Sequence, residues 1–267
     1  MPRFVLGIEY DGSDFCGWQW QPDRRSVQSE LENALSKVAN QPVTVVCAGR
    51  TDAGVHALEQ IVHFDVTVER GNDAWLLGGN SNLPDDIRIL WVKEIQNDFH
   101  ARYSALARLY RYVIHNRPVK SALQPSQVTW CYHPLDEEAM HLAGQHLVGN
   151  HDFSSFRAKG CQSLSPFRQV HFIDVSRDKD KVMVLVCANA FLHHMVRNIV
   201  GVLMAIGVGK QSANWTLDLL AAKKRELAGV TAPPYGLYLE AVHYPEGYGF
   251  LKHPAFNKLP HDIKRFG

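Results

Sequence analysis

The chain has 267 residues, 46% of them hydrophobic and 21% charged, a composition that excludes a disordered, collagen-like or low-complexity polymer. Its length suffices for one large domain or two small ones. Lys and Arg total 28 against 27 Asp and Glu, so a uniformly basic polyanion binder is excluded, whereas one with segregated charge is not.

In chain order, Arg3–Tyr10 reads as a strand and Asp11–Arg25 as a loop rich in Gly, Asp and aromatics. Ser26 is placed to cap a helix with Val27, Leu31, Ala34, Leu35 and Val38 on one face, which Asn40-Gln41-Pro42 ends. Strands are expected at Val43–Ala48 and Gln60–Val66, with the loop Gly49–His56 between them. A short helix at Asp73–Asn82 and a strand at Ile87–Glu94 follow. Beyond them the order repeats: strand Arg108–Ile114, helix Asp136–Val148, and strands Arg168–Ser176 and Val182–Ala190 joined by a charged turn. Helices at His194–Ile206 and Trp215–Arg225 precede a closing strand at Leu237–Tyr244. Two β-α-β-β-α-β runs predict an α+β protein of two ferredoxin-like (RRM-like) subdomains with antiparallel sheets. The expected boundaries are 1–105 and 106–245, with 246–267 a tail of little core-forming capacity. A catalytic cleft is expected at the junction near Ser104–Ala107.

Charge is unevenly distributed. Seven acids face three bases from Asp65 to Asp98, whereas Phe99–Leu135 holds no acid and five Lys or Arg. Phe153–Ile173 and Ala190–Leu217 are also acid-free, so one basic face on a neutral molecule is expected. The five cysteines are widely spaced and form no C-x-x-C pair, which points to a reducing compartment. Met1-Pro2-Arg3 leads straight into a strand with no signal-peptide pattern. The apolar run Met195–Gly209 is too short to span a bilayer and contains Arg197. A cytoplasmic protein is expected.

Chemistry is concentrated in Gly49-Arg50-Thr51-Asp52-Ala53-Gly54-Val55-His56, where two glycines frame a guanidinium, a hydroxyl, a carboxylate and an imidazole. The bland alternative is a hairpin loop whose Asp stabilises its own turn. Arg197 weighs against that, because its helix is apolar on nearly every face and a buried guanidinium requires an anion or a route to solvent. Pairing with Asp52 would satisfy Arg197 and keep Asp52 ionised; the alternative is a side chain that snorkels outward. Alternation places Arg108, Tyr110 and Tyr112 on one strand face, as base stacking beside phosphate neutralisation requires, although a strand aromatic is more often core. There is no H-E-x-x-H, no zinc-spaced Cys/His cluster, no P-loop and no G-x-S-x-G elbow, so neither a metal nor a cofactor is expected.

The loop Gly49–Ala57 resembles the signature of the bacterial tRNA pseudouridine synthase A family. The resemblance extends to Gly7-Ile8-Glu9-Tyr10-Asp11-Gly12, Gly17-Trp18-Gln19, Asp98–Arg102, Arg111-Tyr112, Asn189–Gly201 and Gly236–Leu239, and so covers nearly everything up to Pro245. It implies an isomerase that converts uridine to pseudouridine at positions 38, 39 and 40 of the tRNA anticodon stem-loop. Asp52 would be its catalytic nucleophile, Tyr110 would stack on the target base and Leu237 would pack beneath it. Arg50 would assist flipping of the uridine and Arg197 would be a substrate-site residue. RNA contacts would come from Phe99, His100, Ala101, Arg102 and Tyr103, from Gly160, Cys161, Gln162, Ser163 and Leu164, and from Arg70 and Arg157. The family resemblance further implies a homodimer that uses no metal and no cofactor and does not engage a membrane. The rival readings are a non-catalytic RNA-binding protein and a carboxylate-dependent hydrolase. The first leaves Asp52 and Arg197 unexplained, and the second lacks a second acid in the loop.

Overall fold

The structure, a computed structural model, describes residues 1–260 and Ile263. It is a mixed α+β fold, mostly antiparallel, and its chain forms two compact units: Met1–Arg108 with Tyr238–Gly267, and Leu109–Leu237.

In the first unit, β1 (Arg3–Tyr10) pairs antiparallel with both β3 (His56–Asp65) and β4 (Ile87–Ile95). The short β2 (Val46–Cys47) pairs antiparallel with β3. The last strand, β10 (Leu237–His243), runs parallel to β3 through Tyr238↔His56 and Leu239↔Ala57. One helix, α1 (Val27–Ala39), buries Val27, Leu31, Ala34, Leu35 and Ala39. Ser26 caps it as expected: its hydroxyl accepts the Ser29 N–H, and Asn40 ends it in the left-handed region. The strand expected over Val43–Ala48 shrinks to two residues because α1 takes its donors. Ser36 Oγ accepts the Val43 N–H and Glu32 Oε1 the Val45 N–H. The helix expected at Asp73–Asn82 becomes a π-turn over Ala74–Gly78 followed by α2 (Gly79–Asn82).

The second unit orders its strands as β5 (Ala107–Asn116, from Leu109), β9 (Lys181–Ala188), β8 (Phe167–Asp178) and β7 (Gly149–Asp152). β6 (Thr129–Cys131) lies parallel to β5. Three helices accompany them: α3 (Glu137–Gln145), α4 (Met195–Gly207) and α5 (Trp215–Ala222). Asp136 Oδ1 caps α3 by accepting the Ala139 N–H, and α5 ends at Ala222 because Lys223 turns left-handed. β6 and β7 have no sequence signal, being too short for alternation to register.

The chain after Pro245 corrects one expectation. In place of the expected tail, Phe256 is 1% exposed and its ring lies 4.9 Å from that of His243. Phe250 packs on Trp91 and Phe99, and the Lys93 ammonium donates to the Tyr248 carbonyl at 2.7 Å. Isolated aromatics anchor this segment without producing a periodic pattern. The end of the expected tail, residues 261, 262 and 264–267, lies outside the described residues.

Candidate active site

The loop between β2 and β3 is fixed at its root by two buried side chains. Gln60 accepts the Gly49 N–H and donates to the Gly49 carbonyl. Arg108 donates to the Ala48 carbonyl from Nη2 at 3.0 Å and to the Arg102 carbonyl at 2.6 Å. Expected to neutralise phosphate, Arg108 is instead a buried clamp that ties the loop to the segment Phe99–Tyr103.

Above the root, the loop is moulded onto Asp11–Arg25. The Trp18 N–H donates to the Thr51 carbonyl at 3.0 Å and the Gly54 N–H to the Phe15 carbonyl at 3.3 Å. Gly17 sits at φ +92°, where a Cβ would come 2.8 Å from the Thr51 oxygen. Of the four functional groups in the loop, two are internal. The Thr51 hydroxyl bonds the Tyr10 hydroxyl at 2.8 Å, and His56 Nδ1 accepts the Gly12 N–H at 3.0 Å while its ring stacks on Tyr238. Arg50 is exposed, and Asp52 is half-buried, its carbonyl closing the turn by accepting the Val55 N–H. Nearby Cys47 offers no thiolate, since burial pushes its thiol up to about 12. The loop therefore leaves its guanidinium exposed and its carboxylate half-buried.

Within the same unit, the segment Phe99–Tyr103 presents only part of the surface expected of it. Phe99 and Ala101 are buried: Phe99 packs among Tyr244, Tyr248 and Phe250, and the Ala101 carbonyl accepts the Tyr244 hydroxyl. They anchor the segment, while Arg102 and Tyr103 are exposed, the guanidinium 5.4 Å from the ring. Arg70 is exposed at the end of α1, where its Nε donates to the Val38 carbonyl.

The second unit carries Tyr110, Arg197 and Leu237. Tyr110, 7% exposed, meets Phe191 edge-on with centroids 5.0 Å apart. Arg197 lies in the first turn of α4 and donates from Nε to the Ala232 carbonyl, while the Ala232 N–H donates to the Arg197 carbonyl. Leu237 is buried at the start of β10. Tyr112 belongs to the core: its hydroxyl meets Thr129 and the Pro233 carbonyl, and burial pushes its phenol pKa up.

Arg157 shapes the loop that contains Gly160–Leu164. Its Nη2 donates to the carbonyls of Cys161 and Ser163, and buried Arg168 holds Ser163 Oγ and the Ser165 carbonyl. Cys161 Sγ accepts the His193 N–H, and the Ala158 N–H donates to the His193 carbonyl, so this loop is joined to the segment leading into Arg197. Burial raises the Cys161 thiol, but hydrogen bonds and Arg157 bring it below its ordinary value overall. Gly160, Gln162 and Leu164 are exposed.

Gln60, Gly12 and Gly17 are the supports that sequence reasoning did not single out for a role, although both glycines lie in stretches that carry the family resemblance.

A profile described as tRNA pseudouridine synthase matches residues 7–104 and 143–245. The chain belongs to the tRNA pseudouridine synthase family. As a member it is an isomerase that acts on uridine in tRNA. The relatives are close: tRNA pseudouridine synthase A of Methylococcus capsulatus is 58% identical over 264 residues, covering 99% of this chain and 97% of that one. Its namesake from Coxiella burnetii is 53% identical, covering 95% and 97%, and that of Escherichia coli 56%, covering 94% and 93%. Among the described residues no helix is long and apolar enough to cross a membrane.

Proposed function

We propose that this chain converts uridine to pseudouridine at positions 38, 39 and 40 of the tRNA anticodon stem-loop, with Asp52 as the nucleophile. The observation that carries this reading is the loop itself: Thr51 and His56 are committed to the fold, and Asp52 is held half-buried between them on clamped backbone. The uridine must leave the stem before its glycosidic bond is reachable, and Arg50 assists that flip. The bond from ribose C1′ to N1 breaks, uracil rotates, C5 bonds to C1′, and the C5 proton is lost while N1 gains one. An ionised carboxylate that attacks either C1′ or the ring divides this exchange into easier steps. Arg197 belongs to the substrate site, Tyr110 stacks on the base and Leu237 packs beneath it.

In this reading Arg102, Tyr103, His100, Arg70, Arg157 and Gly160–Leu164 meet the RNA. The chain works as a cytoplasmic homodimer of two ferredoxin-like subdomains, without metal or cofactor.

The test is release of tritium from C5-tritiated uridine in unmodified tRNA, with pseudouridine mapped afterwards. Asp52→Asn should bind tRNA like the wild type and release none. Full release by the variant overturns the nucleophile assignment, and pseudouridine confined to another arm overturns the positions.

A further inference from the structure

A second aromatic surface lies in the second unit, in the acid-free stretch that ends at Leu135. Trp130 on β6 is half-buried, its Nε1 donating to the Arg117 carbonyl at 2.9 Å. Tyr132, 55% exposed, lies 5.7 Å from that ring at an interplanar angle of 33°. His133 continues the row 3.7 Å from Tyr132, and the Lys120 ammonium sits 5.1 Å from the centre of the Trp130 ring.

The row is preorganised by Asn116. Its Nδ2 donates to the carbonyls of Cys131 and His133, at 3.0 and 2.6 Å, and its Oδ1 accepts the Leu135 N–H at 3.1 Å. Arg177 adds a bond to the Leu135 carbonyl at 2.6 Å and is itself bound to Glu137. Arg117 is committed to the carbonyls of Val119 and Lys120 and to Asp180, which leaves Lys120 as the cation beside the rings. A fold that devotes several side chains to fixing exposed rings loses little entropy when something stacks on them.

We infer that Lys120, Trp130, Tyr132 and His133 form a platform on which unpaired bases of the tRNA substrate stack, outside the uridine-isomerising site. Bases have π-faces and adjoining phosphates, and a row of rings flanked by an ammonium matches both. The stretch Phe99–Leu135 holds no acid, and the acids that reach it, Asp180 and Glu137, are paired with Arg117 and Arg177, which favours the polyanion over a protein partner. The inference rests on the tRNA reading above.

The experiment uses the full chain and an unmodified tRNA transcript, with affinity measured at several salt concentrations and tritium release giving kcat and KM. Tyr132→Ala should weaken binding about tenfold, and Tyr132→Phe, which keeps the ring, should restore it. Lys120→Ala should lower the salt slope by about one contact. KM should rise with Kd while kcat stays constant. If Tyr132→Ala and Lys120→Ala bind like the wild type, the platform is overturned and the surface belongs to a protein partner, while isomerisation by the wild type leaves the proposed function standing. A Tyr132→Phe variant as weak as Tyr132→Ala also overturns stacking. A wild-type chain that neither binds nor isomerises tRNA overturns the reading beneath.

Discussion

At Gly12 the fold has no room for a methyl group: a Cβ there would overlap the Val55 carbonyl at the far end of the Asp52 loop. Relief requires the loop to move, so Gly12→Ala should cost roughly 1–3 kcal/mol of stability, the usual overpacking range, and reduce turnover more than tRNA affinity. Urea unfolding together with tritium release checks both, and unaltered turnover would mean that the loop position is not critical. Asp52 stands out in the sequence through the family resemblance of its loop, since glycines framing a polar cluster alone fit a hairpin turn equally well. Arg108 does not, since alternation shows which face a side chain takes and not which carbonyls it will meet across 60 residues. For the same reason Phe99 is an RNA contact in sequence and an anchor in structure: an aromatic beside a basic residue has the same letters in either role.

Among the elements, α4 shows how a helix fixes a distant segment. Asn198 is fully buried, donates to the Phe156 carbonyl at 2.7 Å, and accepts from Arg225 at 2.9 Å and Thr231 at 2.7 Å. These bonds hold the stretch that runs to Ala232, whose carbonyl receives Arg197. Asn198→Ala strands three partners and should destabilise the chain by roughly 1–3 kcal/mol. Calorimetry will show it as a lower Tm, and an unchanged Tm would refute the network. The loop held by Arg157 gives a second contrast. Arg157→Glu should lower Tm as well as tRNA affinity, because carbonyls lose their donor, whereas Arg102→Glu at an exposed site should alter only affinity and its salt slope. Strands and helices with clear periodicity or caps (β1, α1, α3, α4) stand within a residue or two of their expected places, apart from the C-terminal end of α3. β2, β6 and β7 depended on partners that periodicity cannot reveal.

For the whole molecule, stability should depend on pH through buried and half-buried histidines, His243 among them and His63 and His100 most clearly. His63 Nδ1 accepts the Ala101 N–H, and His100 Nδ1 accepts those of Arg102 and Tyr103, so both rings serve as neutral acceptors. Burial, with Arg3 close by, pushes His63 down to about 4 and His100 in the same direction. Below the ordinary histidine value of ~6.5 the unfolded chain binds protons that the fold refuses. Their stabilising contribution is therefore complete above that pH and should be lost progressively toward about 4. Urea midpoints between pH 8 and pH 4 measure it, and His63→Gln should flatten the slope. The chain beyond Pro245 is a further requirement: Phe256→Ala should cost about 3–5 kcal/mol, as expected for a buried aromatic.

The strand that leaves the Asp52 loop takes its parallel neighbour from Tyr238 and Leu239, more than half the chain later. During synthesis, Leu109–Leu237 emerges as one continuous stretch, while β3, already paired with β1, waits for the neighbour of its first residues, His56 and Ala57. A ribosome that stalls before Tyr238 therefore leaves His56 without the ring on which it stacks. That end of the strand gains its partner only in about the last tenth of translation.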